Sequence, residues 1–190
     1  MEYSKGCIQM IIGPMFSGKT TELIRRLKRY KVANYRCLIV KHVNDDRYDK
    51  SDVVSHDHQS IPAVSANRIS EFKQLALEFD VVGIDEGQFF PDIVECCEIL
   101  ANLGKIIIVA ALDATFQRVG FGDILNLIPL AESVSKLNAV CMVCFGRASF
   151  TKRTCSDMKL EVIGGSDKYM AVCRMCYFIP QFKQSNLPIC

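Results

Sequence analysis

Long hydrophobic runs and a surplus of one charge are both missing from this sequence of 190 residues. No segment approaches the ~18 to 20 consecutive apolar residues that a membrane-spanning helix needs. The formal net charge is only +2, whereas nucleic-acid-binding proteins show a concentrated basic footprint. The opening MEYSKG lacks the charged start and long apolar segment of a secretory signal. We therefore expect a cytoplasmic protein with neither a membrane nor a nucleic acid as partner.

Low-complexity segments and internal repeats are also missing. Hydrophobic residues make up 49% of the chain and charged residues 23%, as in globular proteins. The one dense group of cations, within residues 25–31, is interpreted as the solvated face of a helix. The length suits one compact domain with a small appended module.

Short apolar runs alternate with helical patterns along the first 130 residues. Strands are predicted at residues 7–12, 36–41, 81–85 and 105–112, and helices at 20–31, 69–79 and 91–104. Ser70 is a candidate N-cap for the second of these helices. Apolar strands joined by helices indicate an α/β domain with a mostly parallel sheet and helices on both faces.

The stretch GPMFSGKT at residues 13–20 has the spacing of a phosphate-binding loop. It follows an apolar strand and opens a helix, so backbone N–H groups and the helix N-terminus would face an anion. Lys19 is predicted to neutralise phosphate charge, and the Thr20 hydroxyl to ligate Mg²⁺. We expect Met15 to turn toward a second ligand and Phe16 to pack the loop onto the core.

The stretch VVGIDEGQFF at residues 81–90 ends a buried strand in two acids. Asp85 is the predicted carboxylate on the Mg²⁺ side. Glu86 is either a general base for an acceptor hydroxyl or merely a loop acid or helix-capping charge. The aromatic side chains Phe89, Phe90 and Phe116 lie just beyond strand ends, where open α/β sheets bind ligands, and each is equally compatible with the core.

Ten cysteines in a chain of this kind indicate metal binding or thiol chemistry rather than a disulfide framework. Two C-x-x-C pairs, Cys141/Cys144 and Cys173/Cys176, flank residues 145–172, and four such thiolates suit a closed, structural zinc site. A redox pair or buried thiols are the alternatives. The scattered cysteines, among them Cys7, Cys37 and one of Cys96 and Cys97, are expected to be small buried hydrophobes.

Five stretches together closely resemble the cytosolic (type II) thymidine kinases of animals and large DNA viruses. They are GPMFSGKTTELIRR, DEGQFFPDIVE, VAALDATFQR, PLAESVSKLNAVCMVCF and VIGGSDKYMAVCRMCYF. The resemblance covers about residues 7–178 and departs from the family at Ala114, where a glycine is expected. It implies a P-loop, RecA-like α/β domain at residues 1–135, a zinc-bearing lasso domain at 136–180 and a flexible tail at 181–190.

The same resemblance implies an activity and its partners. The activity is Mg²⁺-dependent transfer of the ATP γ-phosphate to the 5′-hydroxyl of thymidine, giving dTMP for nucleotide salvage, with deoxyuridine as a further acceptor. The implied cofactors are ATP, Mg²⁺ and a structural Zn²⁺. A homotetramer and feedback inhibition by thymidine triphosphate (dTTP) are implied as well.

Site residues carry over position by position. The ATP site is matched by Gly13, Pro14, Met15, Phe16, Ser17, Gly18, Lys19, Thr20, Asp45, Asp46, Arg47, Asp85, Glu86, Gly87 and Gln88, with Glu86 at the position of the proton acceptor. The predicted nucleoside site consists of Met15, Phe89, Leu112, Phe116, Leu160, Glu161, Val162, Ile163, Gly164 and Tyr169. The four paired cysteines match the zinc ligands, and Thr20 and Asp85 are assigned to magnesium.

Two other readings compete with this one. A zinc-bearing adenylate kinase also combines a phosphate loop with four cysteines, but its zinc lid is inserted in mid-chain and is rich in arginine. A zinc-ribbon ATPase acting on nucleic acid would carry a basic stripe, which the net charge of +2 disfavours.

Overall fold

A computed structural model describes residues 6–43, 52–54, 60–154 and 167–179. The strands are β1 (Cys7–Gly13), β2 (Cys37–His42), β3 (Asp52–Val54), β4 (Ser60–Ala66), β5 (Val81–Ile84), β6 (Ile106–Leu112), β7 (Ser133–Lys136), β8 (Ala139–Val140), β9 (Arg147–Ala148), β10 (Phe150–Arg153) and β11 (Tyr169–Val172). The α-helices are α1 (Lys19–Val32), α2 (Lys73–Ala76), α3 (Ile93–Asn102) and α4 (Arg174–Tyr177). Three 3₁₀ helices span Ile69–Phe72, Gly87–Phe89 and Ile124–Leu130.

Seven strands form one sheet in the order β3-β4-β2-β5-β6-β1-β7. Every neighbouring pair is parallel except β3 with β4. Parallel strands present their carboxyl ends on one edge, so the segments that follow β1, β5, β6 and β7 meet there. The predicted mostly parallel sheet is confirmed.

Helices cover both faces of this sheet, and alternate side chains of β1 show how. Ile8, Met10 and Ile12 pack in one apolar cluster with α3, whereas Cys7 and Ile11 pack in a second cluster with α1. Because side chains along a strand alternate between faces, a strand that is buried throughout needs cover on both sides. The β1 residues are all buried, which agrees with the predicted layers.

The helix predicted at residues 69–79 differs from the observed structure. The segment starts as the 3₁₀ helix Ile69–Phe72, continues as α2 and ends at Ala76. The hypothesis that Ser70 is the N-cap is wrong, because the backbone N–H groups of Ile69 and Ser70 donate to the Asp92 carboxylate at 3.0 Å each. Asp92 thus satisfies orphan donors at this helix start from a distant part of the chain, which no local pattern reveals.

The residues beyond β7 form two small antiparallel sheets, β8-β9 and β10-β11, followed by α4. We call the described residues 139–154 and 167–179 the cysteine module. The buried residues of its core cluster are Ala139, Cys141, Ala148, Ala171, Val172 and Cys176. None of the helices in the described ranges is both long and apolar enough to cross a membrane.

Candidate active site

Two glycines shape the loop between β1 and α1. Gly18 has φ 80°, and Gly13 has φ 150° with so little space that an added Cβ would lie 2.6 Å from the Leu137 carbonyl oxygen. Both conformations favour glycine. The Ser17 hydroxyl and the buried Lys19 ammonium each donate to the Pro14 carbonyl at 2.8 Å. The loop therefore folds around a lysine cation, as a phosphate cradle requires.

Two bulky side chains in this loop have different environments. Phe16 is 43% exposed and has φ 63°, so the hypothesis that it packs the loop onto the core is wrong. Met15 is half-buried, and its backbone N–H donates to the Thr151 hydroxyl at 3.0 Å. The phosphate loop is therefore bonded directly to the cysteine module.

Thr20 and Asp85 join the start of α1 to the end of β5. The Thr20 hydroxyl lies 2.9 and 3.1 Å from the two carboxylate oxygens of Asp85, which is only 4% exposed. A hydroxyl and a carboxylate are oxygen ligands of the kind Mg²⁺ accepts. The sequence predicted both residues for a magnesium site, and the fold brings them together at the mouth of the phosphate loop.

Glu86 occupies a constrained position directly after Asp85. Its backbone has φ 53°, an unusual conformation for a residue with a side chain, and its N–H donates to Asp85 Oδ1 at 3.0 Å. The Gln88 side-chain amide donates to the Glu86 carboxylate at 2.6 Å, while its oxygen accepts from the Leu112 N–H at 2.9 Å. Since a backbone N–H can only donate, this bond fixes the amide orientation and directs its NH₂ group to Glu86.

The three candidate aromatics differ in how deeply they are buried. Phe90 is 2% exposed and belongs to the core cluster. Phe89 is half-buried and forms ring contacts with His42 and Phe121 at centroid distances of 5.5 and 5.6 Å. Phe116 is also half-buried and lies beyond β6 at the same sheet edge.

Arg153 was not among the residues that the sequence singled out. Its guanidinium carbon lies 3.9 Å from the centroid of Phe116, and its Nη2 donates to the Tyr169 hydroxyl at 2.7 Å. Thr151 and Arg153 are the two buried positions of β10, two residues apart on one strand face. The alternation in FTKR was the available signal, but only the fold shows that this face meets the phosphate loop and Phe116.

Asp113 and Lys136 form another contact that the sequence did not reveal. Lys136 Nζ lies 2.6 Å from Asp113 Oδ2. Asp113 follows β6 and Lys136 ends β7, the two neighbours of β1 in the sheet. The ion pair therefore spans the carboxyl end of the strand that leads into the phosphate loop.

The four paired cysteines converge in space. Their sulfur atoms all lie within 4.8 Å of one another, and the Cys144 and Cys173 sulfurs are 3.7 Å apart. Tetrahedral zinc with Zn–S bonds of ~2.3 Å would place its sulfurs ~3.8 Å apart. The arrangement fits a closed Cys₄ zinc site.

Hydrogen bonds lower the pKa of two of the four thiols, Cys141 and Cys173. Although burial raises the pKa of Cys141, N–H bonds from Cys144, Cys173 and Val143 outweigh it and lower the pKa to about 6. Burial and the neighbouring thiols instead raise the pKa of Cys176. The scattered Cys7 and Cys37 are buried as predicted, and burial raises the pKa of Cys37 to about 11. Of Cys96 and Cys97 only one was predicted to be buried, but both are.

Part of the predicted site lies outside the described residues. This applies to the second ATP stretch, Asp45, Asp46 and Arg47, and to the nucleoside-covering residues Leu160, Glu161, Val162, Ile163 and Gly164. Tyr169, at the other end of that segment, is buried in β11.

Comparison with known proteins gives one family. The profile of the thymidine kinase family matches residues 6–177. The chain is 58% identical to the thymidine kinase of Yaba monkey tumor virus over 94% of this chain and 98% of the relative. It is 60% identical to cytosolic thymidine kinase of Gallus gallus, covering 92% and 78% of the two chains. It is 58% identical to cytosolic thymidine kinase of Homo sapiens, covering 92% of this chain and 74% of the relative. The chain belongs to the thymidine kinase family.

Proposed function

We propose that this protein transfers the γ-phosphate of ATP to the 5′-hydroxyl of thymidine, and that deoxyuridine is a second acceptor. The carrying observation is that one sheet edge brings together the Thr20–Asp85 pair and a Glu86 carboxylate held by Gln88. The relatives at 58 to 60% identity are named thymidine kinases, which supports thymidine as the acceptor.

The donor side of the site is assigned to the loop Gly13–Thr20 with the acidic segment Asp85–Gln88 and Asp45–Arg47. Backbone N–H groups of the loop and of the first turn of α1 bind the phosphates, and Lys19 leaves the Pro14 carbonyl to neutralise their charge. Thr20 and Asp85 would hold Mg²⁺, which would neutralise charge that develops on the transferring group.

Glu86 is assigned as the general base. It accepts the 5′-hydroxyl proton while the γ-phosphoryl group moves in line from ATP to that oxygen. Gln88 restricts the carboxylate to one orientation by its bond of 2.6 Å. Positioning of the two substrates and neutralisation of charge supply most of the acceleration.

The nucleoside side is assigned to Met15, Phe89, Leu112, Phe116 and Tyr169, with Leu160–Gly164 covering the base. The proposal is supported by the position of Phe116 beyond β6, against the buried Arg153. A nucleoside complex in which Met15 is farther than about 4 Å from the nucleoside would remove Met15 from the site.

The cysteine cluster is assigned a structural Zn²⁺ with Cys141, Cys144, Cys173 and Cys176 as its four ligands. Its sulfur spacing supports this assignment. The domain division at residues 135 and 180, a homotetramer, cytoplasmic action and feedback inhibition by dTTP complete the proposal. The names of the Gallus gallus and Homo sapiens relatives support the cytoplasm, and the motif resemblance supports the others.

One transfer assay tests the proposed activity. γ-Labelled ATP is offered with thymidine, with AMP, and with water in the presence and absence of DNA. We expect label in dTMP and much less with the other acceptors. Label appearing in ADP from AMP would favour an adenylate kinase, and phosphate release stimulated by DNA would favour a nucleic-acid ATPase.

A further inference from the structure

The segment of residues 114–120, which carries Phe116, is a tight turn with an unusual backbone. Ala114 and Gly120 form an isolated antiparallel bridge, and the Thr115 N–H donates to the Val119 carbonyl at 2.8 Å. Arg118 lies inside this turn with φ 64°. The left-handed region disfavours a residue with a side chain, and within the turn the Arg118 N–H donates to the Thr115 carbonyl at 2.9 Å.

The Arg118 side chain adds contacts with aromatic rings of the cysteine module. The Arg118 guanidinium carbon lies 4.2 Å from the ring centroid of Tyr177, 4.8 Å from that of Phe178 and 5.6 Å from that of Phe150. All three distances are within the ~6 Å of a cation–π contact. Arg118 Nε is buried and has no hydrogen-bond partner in the described part of the chain. Within the described residues, the three ring faces are therefore the principal partners of the Arg118 guanidinium.

The Tyr177 ring makes a second contact with the same turn. Its hydroxyl donates to the Phe116 carbonyl oxygen at 2.7 Å. Tyr177 directly follows Cys176, one of the four clustered thiols, and ends α4. One aromatic side chain thus binds Arg118 through its face and the Phe116 backbone through its hydroxyl.

We propose that Arg118 is a positioning residue that fixes the Phe116 turn against the cysteine module and so sets the height of the nucleoside pocket. The consequence for substrate rests on the proposed function. The geometric part does not, because it concerns only contacts within the chain. Arg118 acts through Phe116 and Tyr177 and takes no part in the chemical step.

The test compares Arg118→Met, Arg118→Lys and the control Arg174→Met. Both Arg118 variants keep a side chain of similar length in the left-handed conformation, so backbone strain cancels between them. Lysine retains a cation for the rings and methionine does not. The Arg174 guanidinium carbon also lies over the Phe150 ring, 5.0 Å from its centroid. Arg174 is exposed, however, and within the described residues it makes no contact with residues 114–120.

Steady-state kinetics give the first readout. We expect Arg118→Met to raise the KM for thymidine about tenfold, the size of a desolvated cation–π contact, with kcat and the KM for ATP within about twofold. Arg118→Lys should recover most of the loss, and Arg174→Met should resemble wild type. Equal effects of the two methionine variants, or an unchanged thymidine KM in Arg118→Met, would overturn the proposal.

Amide hydrogen exchange of the ligand-free enzyme gives a second readout that needs no substrate. Amides of residues 115–119 should exchange faster in Arg118→Met than in wild type or Arg174→Met. If Arg118→Met does not fold, Tyr177→Leu decides, because it removes both the ring nearest to Arg118 and the hydroxyl bond to Phe116 and should also speed this exchange. Unchanged exchange in the variant that folds refutes the positioning role. If the wild-type enzyme does not phosphorylate thymidine, the proposed function is refuted but the positioning role of Arg118 is not.

Discussion

The carboxyl edge of the large sheet and the cysteine module carry their functional residues on very different cores. Behind the sheet edge lie two clusters of buried aliphatic and aromatic side chains, one on each face. The core cluster of the module consists of three alanines, two of the clustered cysteines and a single valine, with half-buried side chains such as Phe150 and Tyr177 packed against it. A core that small contributes little by the burial of apolar area, so we expect the proposed zinc cross-link to stabilise the module more than the phosphate loop.

Removal of zinc should give the largest difference between the two regions, because it should unfold the cysteine module and leave the phosphate loop intact. Structural zinc supplies apparent free energies of about 10 to 16 kcal/mol in small zinc domains, far more than this module's apolar core provides. Cys173→Ser or chelation should abolish thymidine binding while an ATP analogue still binds, both measured by calorimetry. Cys96→Ser is the control, since Cys96 is buried elsewhere, beside Asp92. Normal thymidine affinity in a demonstrably zinc-free enzyme would contradict the comparison.

Glu86→Gln tests the general-base role of Glu86 at the sheet edge, and it should change the rate of the reaction without changing the fold. Loss of a general base lowers rates by about 10² to 10⁴, so kcat should fall by at least a hundredfold while thymidine affinity and the melting temperature stay near wild type. Glu95→Gln, an exposed acid on α3, is the matched control. A decrease in kcat of less than about tenfold would show that Glu86 is not the base.

Gln88→Leu tests whether Gln88 positions the Glu86 carboxylate, and we expect a smaller effect than that of Glu86→Gln. It removes the donor to Glu86 and leaves the Leu112 N–H without its acceptor. A hydrogen bond to a charged group is worth about 1.5 to 3 kcal/mol, so kcat should fall between about tenfold and a hundredfold, less than in Glu86→Gln. Gln74→Leu on the exposed side of α2 should change nothing measurable. A kcat equal to wild type would mean that Gln88 does not position the base.

Asp92→Asn should show the smallest effect, confined to stability. Burial alone would raise the pKa of Asp92, but N–H bonds from Ser70 and Ile69 hold it below its usual range. A depressed pKa stabilises the fold above the unfolded value of about 3.9, and that stability is lost as the pH falls through the lower folded pKa.

Urea unfolding between pH 7 and pH 3.5 measures this effect. We expect a loss of about 1 kcal/mol at pH 7, with the gap between variant and wild type closing below about pH 4. The exposed Asp123→Asn is the control. A gap that stays constant with pH would assign the effect to packing instead of charge.

Local patterns were sufficient wherever a residue's role depends on its neighbours in the chain. The run at residues 7–12 and the glycines at 13 and 18 predicted a strand, a turn and a helix start, and these were found at β1, the loop and α1. The equal spacing of the cysteine pairs likewise predicted a cluster that the fold forms. Phe16 and Ser70 are exceptions. The side a loop residue faces depends on what packs above it, and the helix start near Ser70 is capped by the distant Asp92.

Contacts between distant segments were beyond the reach of the sequence. Asp92 caps a helix start 22 and 23 residues earlier, and Thr151 receives a bond from Met15 across 136 residues. The sequence analysis singled out neither Arg118 nor Arg153, and only the fold places aromatic rings beneath them. No periodicity encodes such pairs.

The sequence by itself determined the α/β class, the phosphate loop, the acidic strand end and the paired cysteines, since each is a short-range pattern of residue type and spacing. The tertiary structure decided how these parts meet. Parallel strands bring their carboxyl ends to one edge, and the cysteine module then contacts both the phosphate loop and the Phe116 turn. The physical reason is that side chains far apart in sequence become neighbours only when the two cores exclude water and fix the connecting chain.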